Sequence, residues 1–274
     1  MSKGVVIITG SAQGIGRAIA LRLASDGYDI AVNDIAPQKE HLESLKSEIE
    51  SKRRKSIVVI ADVSKEEEVQ KMVDTTVKEL GGLDVMVANA GIVHFKPLIQ
   101  TSVADWDRLF AVNTRGLMLC YQTAAKQMIA QGRGGRIIGA CSMAGKKAFP
   151  AYAAYSATKF AVRAITQSAA AELGRYKITV NAYCPGNIET PMSKYISVSS
   201  PTCKLLSTPR IVHNMIPIIA ESTGADLETP EDVASLVSYL ASPDSHFITG
   251  QRGSFDRCQQ RLTFMHSIIG QSVS

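Results

Sequence analysis

The chain is short of the features that staple small secreted scaffolds together. Its 274 residues hold five cysteines, Cys120, Cys141, Cys184, Cys203 and Cys258, which are scattered, odd in number and form no C-x-x-C pair. That spacing argues against a disulfide framework and against a zinc site. No cluster of His, Asp and Glu shows metal-ligand spacing, so no metal is expected. No apolar run approaches the ~18 residues needed to cross a bilayer. The opening MSKGVVIITG is too short in apolar residues for a signal-peptide core and reads as a first strand. No membrane role and a reducing, cytoplasmic setting are the expectations. Charge of one sign is scarce too: 30 Lys and Arg against 25 Asp and Glu leave a net +5. The densest basic run, Lys52-Arg53-Arg54-Lys55, is placed at the exposed end of a helix, a solvated face rather than a nucleic-acid patch.

What is present is ordinary globular composition, 45% hydrophobic and 20% charged, in a chain long enough for a sizeable core. Strand-like runs at 5–8, 28–34, 56–63, 83–91, 135–142 and 178–186 alternate with helical patterns. The helices are expected at 15–25, 39–54, 65–80, about 105–130 and 155–173. Strands apolar on both faces and joined by helices indicate a parallel sheet covered on both sides. Right-handed connections then give an α/β, doubly wound, Rossmann-type single domain, with expected bounds 4–251. Residues 193–223 are Ser- and Pro-punctuated without a clean period, the pattern of a functional lid or a disordered segment. A further helix starts at TPEDVASLVSYLAS, with Thr229 as cap, Pro230 first and Glu231 and Asp232 in the first turn.

Gly10, Gly14 and Gly16 stand directly after the first strand and at the mouth of a helix. Glycines there let the backbone approach a pyrophosphate, while the helix N-terminus offers free N–H groups and positive potential. A glycine trio also makes plain turns; its strand–loop–helix context points to a nucleotide. Ser11, Gln13 and Ile15 belong to the same candidate loop. Asp34 ends the second strand, 24 positions after Gly10. A carboxylate there can accept hydrogen bonds from the adenosine ribose and repel a 2′-phosphate; it could equally cap a helix. With Ala12, Gln13 and Ile35 nearby and no cation, NAD is favoured over NADP. Asp62, with Val63 beside it, is placed for the adenine edge or as a surface cap.

The stretch PAYAAYSATKF, residues 150–160, holds two tyrosines one helical turn apart. Proton transfer at a carbinol oxygen as a hydride leaves needs an acceptor. A phenol with pKa near 10 is a poor one unless its anion is favoured. A lysine one turn along the same helix face can supply part of that. Tyr155 has Lys159 at i+4, whereas Tyr152 has Ser156, so Tyr155 is the better candidate. Ser142 ends a strand 13 residues earlier, as a cap or a functional hydroxyl. Asn113 falls inside the long helix, where asparagine is mildly unfavourable.

TGSAQGIG, NAG at 89–91, Asn113, Ser142, YSATK at 155–159 and PGNIETP at 185–191 follow in order. Together they resemble the classical short-chain dehydrogenase/reductase family from about residue 4 to Gln251. The segments around Ser142, Tyr155 and Pro185 are most similar to acetoin/diacetyl reductases and 2,3-butanediol dehydrogenases. The resemblance implies that Tyr155 is the proton donor and acceptor and that Ser142 binds the substrate oxygen. It also implies that Lys159 binds the nicotinamide ribose and that Asn113 holds a relay water. By the same carry-over Asn89, Ala90 and Gly91 line the adenosine side, while Pro185, Gly186, Ile188 and Thr190 flank the nicotinamide. The implied function is an NAD(H)-dependent oxidoreductase on a small alcohol or diol and its ketone, working as a dimer or tetramer. A broad carbonyl or 3-oxoacyl reductase is the rival enzyme; a nucleotide-binding regulatory protein is the rival of another class. Residues 252–274 depart from the family, with no apolar strand run joined to Asp-Gly-Gly. The expectation is an atypical tail of frame-shifted or intron-derived origin, with the last strand lost and the neighbouring strand left as an open edge.

Overall fold

A computed structural model describes residues 2–186, 188–191 and 229–255; the expected lid 193–223 and the tail residues 256–274 lie outside the described residues. Seven parallel strands form one sheet: β1 (Val5–Ile8), β2 (Asp29–Asp34), β3 (Ser56–Ile60), β4 (Val85–Ala88), β5 (Gly135–Ala140), β6 (Ile178–Pro185) and β7 (Arg252–Phe255), in the order β3-β2-β1-β4-β5-β6-β7. The doubly wound, Rossmann-type fold follows from this order, which reverses between β1 and β4. In sheets of this kind the crevice at that reversal, beyond the carboxyl ends of the strands, is where ligands bind.

Alternation along each strand feeds two cores. Ile7, Ala31, Met86, Ile137 and Val180 point to one side, against α3 (Glu66–Leu80), α5 (Leu117–Gln131) and α6 (Ala153–Leu173). Val6, Ile30, Val32, Val87 and Ile138 point to the other, against α1 (Gly14–Asp26), α2 (Lys39–Ser51) and α7 (Pro230–Ala241). Burial on both faces is why these strands carry continuous apolar runs. The helix expected after Thr229 forms with a full capping box, Thr229 and Asp232 each bonding the other's backbone. No helix among the described residues is long and apolar enough to cross a membrane.

Three expectations are corrected. The segment after Gln251 does not leave β6 open: β7 pairs parallel with it, Ala182 opposite Arg252 through Pro185 opposite Phe255. Pairing is a property of the backbone, so a strand forms without an apolar run, and the sheet crosses the boundary placed at residue 251. The helix expected from 105 to 130 is α4 (Val103–Phe110), a π turn over Ala111–Gly116 and α5, in unbroken succession. The basic run after α2 is not wholly solvated, because Arg54 turns back to bond the Asp29 carboxylate at 2.7 Å.

Candidate active site

The glycine loop between β1 and α1 is pressed against the segment that follows β4. Gly10 sits at φ +63°, and a Cβ there would lie 2.8 Å from the Ala90 Cα. A Cβ on Gly16 would run into the Gly10 carbonyl oxygen and the Asn89 amide. Both glycines are therefore forced by close backbone approach. The Asn89 side chain fastens the two segments: Nδ2 donates to the carbonyls of Thr9 at 2.8 Å and Gly10 at 3.0 Å, and Oδ1 accepts from the Tyr183 hydroxyl at 2.7 Å. Thr9 completes the joint, its hydroxyl accepting from the Asn89 and Ala90 N–H groups, each at 3.0 Å. Thr9 and Tyr183 carry no sequence signal for this joint beyond, for Thr9, a polar residue directly after an apolar strand.

Ser11 is tied to β2, its hydroxyl accepting from the Asn33 N–H at 3.0 Å and donating to the Asn33 carbonyl at 3.2 Å. Gln13 is the residue preceding α1, but no side chain caps that helix and no acid occupies its first turn. Ile15 packs against the apolar core beneath. The glycine cradle and the uncapped helix start fit a pyrophosphate well. Thr190 reaches the same loop, its methyl 3.4 Å from a Cβ built on Gly14, while Ile188 is buried nearby. Pro185 ends β6 and Gly186 follows it, half-buried.

Asp34 ends β2 and accepts from two backbone groups, the N–H of Ile35 at 2.9 Å and of Ala12 at 3.3 Å. Helix capping is not its role, since α2 begins after Gln38. Burial raises its pKa, opposed by those two hydrogen bonds. Asp62 accepts from the Ser64 N–H at 2.9 Å in a local turn ahead of α3, whose cap position is Lys65, and its own N–H is bonded to Glu68. Val63 is buried against the π turn, where a Cβ on Gly116 would come within 2.8 Å of its methyl.

The remaining candidates converge around Gly91. A Cβ built there would lie 3.3 Å from Asn113 Oδ1 and 3.5 Å from Lys159 Nζ. Asn113, in the π turn, is fully engaged. Its Oδ1 accepts from the Ile92 N–H at 2.8 Å; its Nδ2 donates to the Ile92 carbonyl at 2.8 Å and the Thr158 hydroxyl at 3.2 Å. π turns recur at functional sites, and this one turns an asparagine inward onto the loop after β4. Lys159 is buried and donates to the Ala140 carbonyl at 2.9 Å; burial lowers its pKa. Its Nζ lies over the Tyr155 ring, 5.6 Å from the centroid.

Tyr155 differs from the expectation in one respect. The i+4 spacing sets the ammonium over the ring face, and burial raises the phenol's pKa, with the Ser142 hydroxyl pulling the other way. Desolvation outweighs the hydroxyl, so without further charge nearby the phenol is held protonated. Ser142 also accepts from the Ala144 N–H at 3.1 Å, so the strand-end cap is real and the hydroxyl faces Tyr155 as well. Cys141 and Cys184 are buried neighbours beneath this group, with Cys141 Sγ 3.4 Å from the Lys159 carbonyl. His94 is a half-exposed loop residue whose Nδ1 lies 3.2 Å from Asp105.

The short chain dehydrogenase family pattern matches residues 4–200. A short-chain dehydrogenase/reductase of Armillaria gallica is 48% identical, the alignment covering 92% of this chain and 94% of that one. An L-2,3-butanediol dehydrogenase of Corynebacterium glutamicum is 41% identical over 92% of this chain and 96% of its own. Among solved structures, an acetoin dehydrogenase from Salmonella typhimurium superimposes with a TM-score of 0.77 at 33% identity, covering 93% and 96% of the two chains.

Proposed function

Because the chain belongs to the short-chain dehydrogenase family, oxidoreductases that act on CH–OH groups with NAD(P), we propose that it is an NAD(H)-dependent enzyme interconverting a small alcohol or vicinal diol with its ketone. Diacetyl, acetoin and 2,3-butanediol are the substrates in view, since a relative and a structural neighbour carry butanediol and acetoin in their names. The observation that most supports the reading is the convergence of Ser142, Tyr155, Lys159 and Asn113 at the carboxyl ends of β4 and β5.

The glycine loop and the start of α1 would hold the pyrophosphate, and Asp34 the adenosine ribose. Asn89, Ala90 and Gly91 would border the adenosine side, while Pro185, Gly186, Ile188 and Thr190 would flank the nicotinamide. A bound nicotinamide supplies or accepts the hydride at the carbinol carbon. The chain's own part is the proton. Ser142 and Tyr155 present hydroxyls to one substrate oxygen, which fixes it. In ketone reduction Tyr155 gives its proton to that oxygen as alkoxide character develops, a role suited to a phenol kept neutral by burial. In alcohol oxidation the same phenol must first lose its proton, which burial opposes. Reduction thus starts from the phenol's resting protonation state at neutral pH. Lys159 supports the phenol from beneath and would bind the nicotinamide ribose. Asn113 has both side-chain atoms committed to Ile92 and Thr158, so its part is to position the loop, and a relay water would be held by its backbone. A homodimer or tetramer in a cytoplasmic setting belongs to the same proposal.

The test is oxidation of NADH and NADPH against a panel of carbonyls, for the wild type and Tyr155→Phe. Turnover with NADH and diacetyl is expected. Loss of a general acid should lower it by about 100- to 10,000-fold. Cofactor binding without turnover of any carbonyl would replace the enzyme by the nucleotide-binding regulatory reading.

A further inference from the structure

Next to Tyr155 stands Tyr152, and around Tyr152 stand Phe95 and Phe149, three rings that the proton chemistry does not use. Phe95 lies in the segment after β4; Phe149 and Tyr152 lie in the segment between β5 and α6. Tyr152 is the hub. Its ring meets Phe95 at 5.1 Å and 72°, Phe149 at 6.5 Å and 69°, and Tyr155 at 5.8 Å and 64°. All three rings are half-buried, so they stop short of being core.

The two segments are braced against each other. The Lys96 N–H donates to the Ala151 carbonyl at 2.9 Å. The Lys96 ammonium bonds Asp105 at 2.9 Å, the same carboxylate that closes the capping box of α4 and faces His94. Ala151 is held at φ +61°, a left-handed conformation that a residue with a Cβ adopts only when its surroundings impose it. Tyr152 then enters α6, its carbonyl accepting from the Ser156 N–H at 2.7 Å. A partly exposed apolar surface, fixed by an ionic tie, a backbone tie and a strained residue, is a wall prepared before any ligand arrives.

We propose that Tyr152, with Phe95 and Phe149, determines specificity, and that the preferred substrates are ketones or secondary alcohols whose reacting carbon, or the carbon next to it, bears an aromatic ring. Ring-on-ring contact near the reacting oxygen rewards an aromatic substituent in a way that a short open chain cannot match. The inference rests on the Ser142 and Tyr155 reading and narrows its substrate class.

The experiment compares kcat/KM for 1-phenylpropane-1,2-dione and acetophenone with that for the open-chain diacetyl and butanone, in wild type, Tyr152→Phe, Tyr152→Leu and Phe95→Leu. The ring substrates should be favoured in the wild type by about 2- to 12-fold, the size of one aromatic contact. Tyr152→Phe should keep that preference. Tyr152→Leu and Phe95→Leu should each erode it by raising KM for the ring substrates more than KM for diacetyl. A wild type that favours diacetyl, or a preference untouched in both leucine variants, overturns the inference and leaves the oxidoreductase reading standing. Absence of turnover with every carbonyl, despite NADH binding, overturns both.

Discussion

Replacing Gly16 by alanine puts two physical effects in opposition, and the structure decides between them. Gly16 is inside α1, where exchanging glycine for alanine ordinarily favours the helix by about 1 kcal/mol. The new methyl, however, would meet the Gly10 carbonyl oxygen, the Asn89 Nδ2 at 2.6 Å and the Ser11 Cα at 2.9 Å. None of these is the loose end of a flexible side chain. Two are backbone, and Asn89 is pinned by bonds to Thr9, Gly10 and Tyr183. Overpacking of this kind costs about 1–3 kcal/mol. Each bond of the Asn89 amide broken to relieve it strands a polar group at a further cost of about 1–3 kcal/mol. With one such bond broken, Gly16→Ala should therefore lose about 1–5 kcal/mol net of the helix gain. It should also lose cofactor affinity, because relief of the clash moves the loop. Gly174→Ala is the control: nothing lies within 4 Å of its added methyl, and its φ of −55° suits alanine. Urea unfolding and NADH fluorescence titration of both variants make the comparison. If Gly16→Ala were as stable as Gly174→Ala and bound NADH like the wild type, the close-approach account of this loop would be refuted.

Two further outcomes are expected. Burial raises the Tyr155 phenol above its ordinary value. Ketone reduction, which needs the protonated form, should then hold its kcat/KM from about pH 6 to 9 and fall only above about pH 10. Alcohol oxidation needs the phenolate and should rise with pH across the same range; a tenfold fall in reduction between about pH 6 and 8 would sink this assignment. Asp34→Ala should weaken NADH, remove the repulsion of a 2′-phosphate and narrow the NADH-over-NADPH ratio in kcat/KM; a wild type that already prefers NADPH would refute the role given to Asp34.

The central strands were legible because burial on both faces writes continuous apolar runs: β1 covers Val5–Ile8, as its sequence predicts. The pairing of Tyr155 with Lys159 was legible because i+4 spacing is a local property of a helix. What that spacing could not say is where the ammonium would point, which the Ala140 carbonyl settles from the end of β5. The π turn was hidden because Ala-Val-Asn-Thr-Arg-Gly carries no composition that distinguishes it from an α turn; it answers to Ile92, 21 positions away. β7 was missed for the opposite reason, since Arg-Gly-Ser-Phe pairs through main-chain groups that every residue possesses. The bonding of Asn89 to Thr9 and Tyr183 joins three strands' ends and has no signature within any one of them.

The π turn makes the 103–131 segment longer in sequence than an α-helix of the same span requires, because its bonds close on i→i+5 rather than i→i+4. What turns Asn113 toward Ile92 is thus a count of residues, in addition to their kinds. A homologue one residue shorter here could keep every good helix former and regain a perfect period. It would also rotate Asn113 off its loop while leaving the downstream positions of α5 in phase, because the wide turn is what absorbs the extra residue. Length at this point carries information that no substitution table records, and redesigns of the helix must conserve the number before the letters.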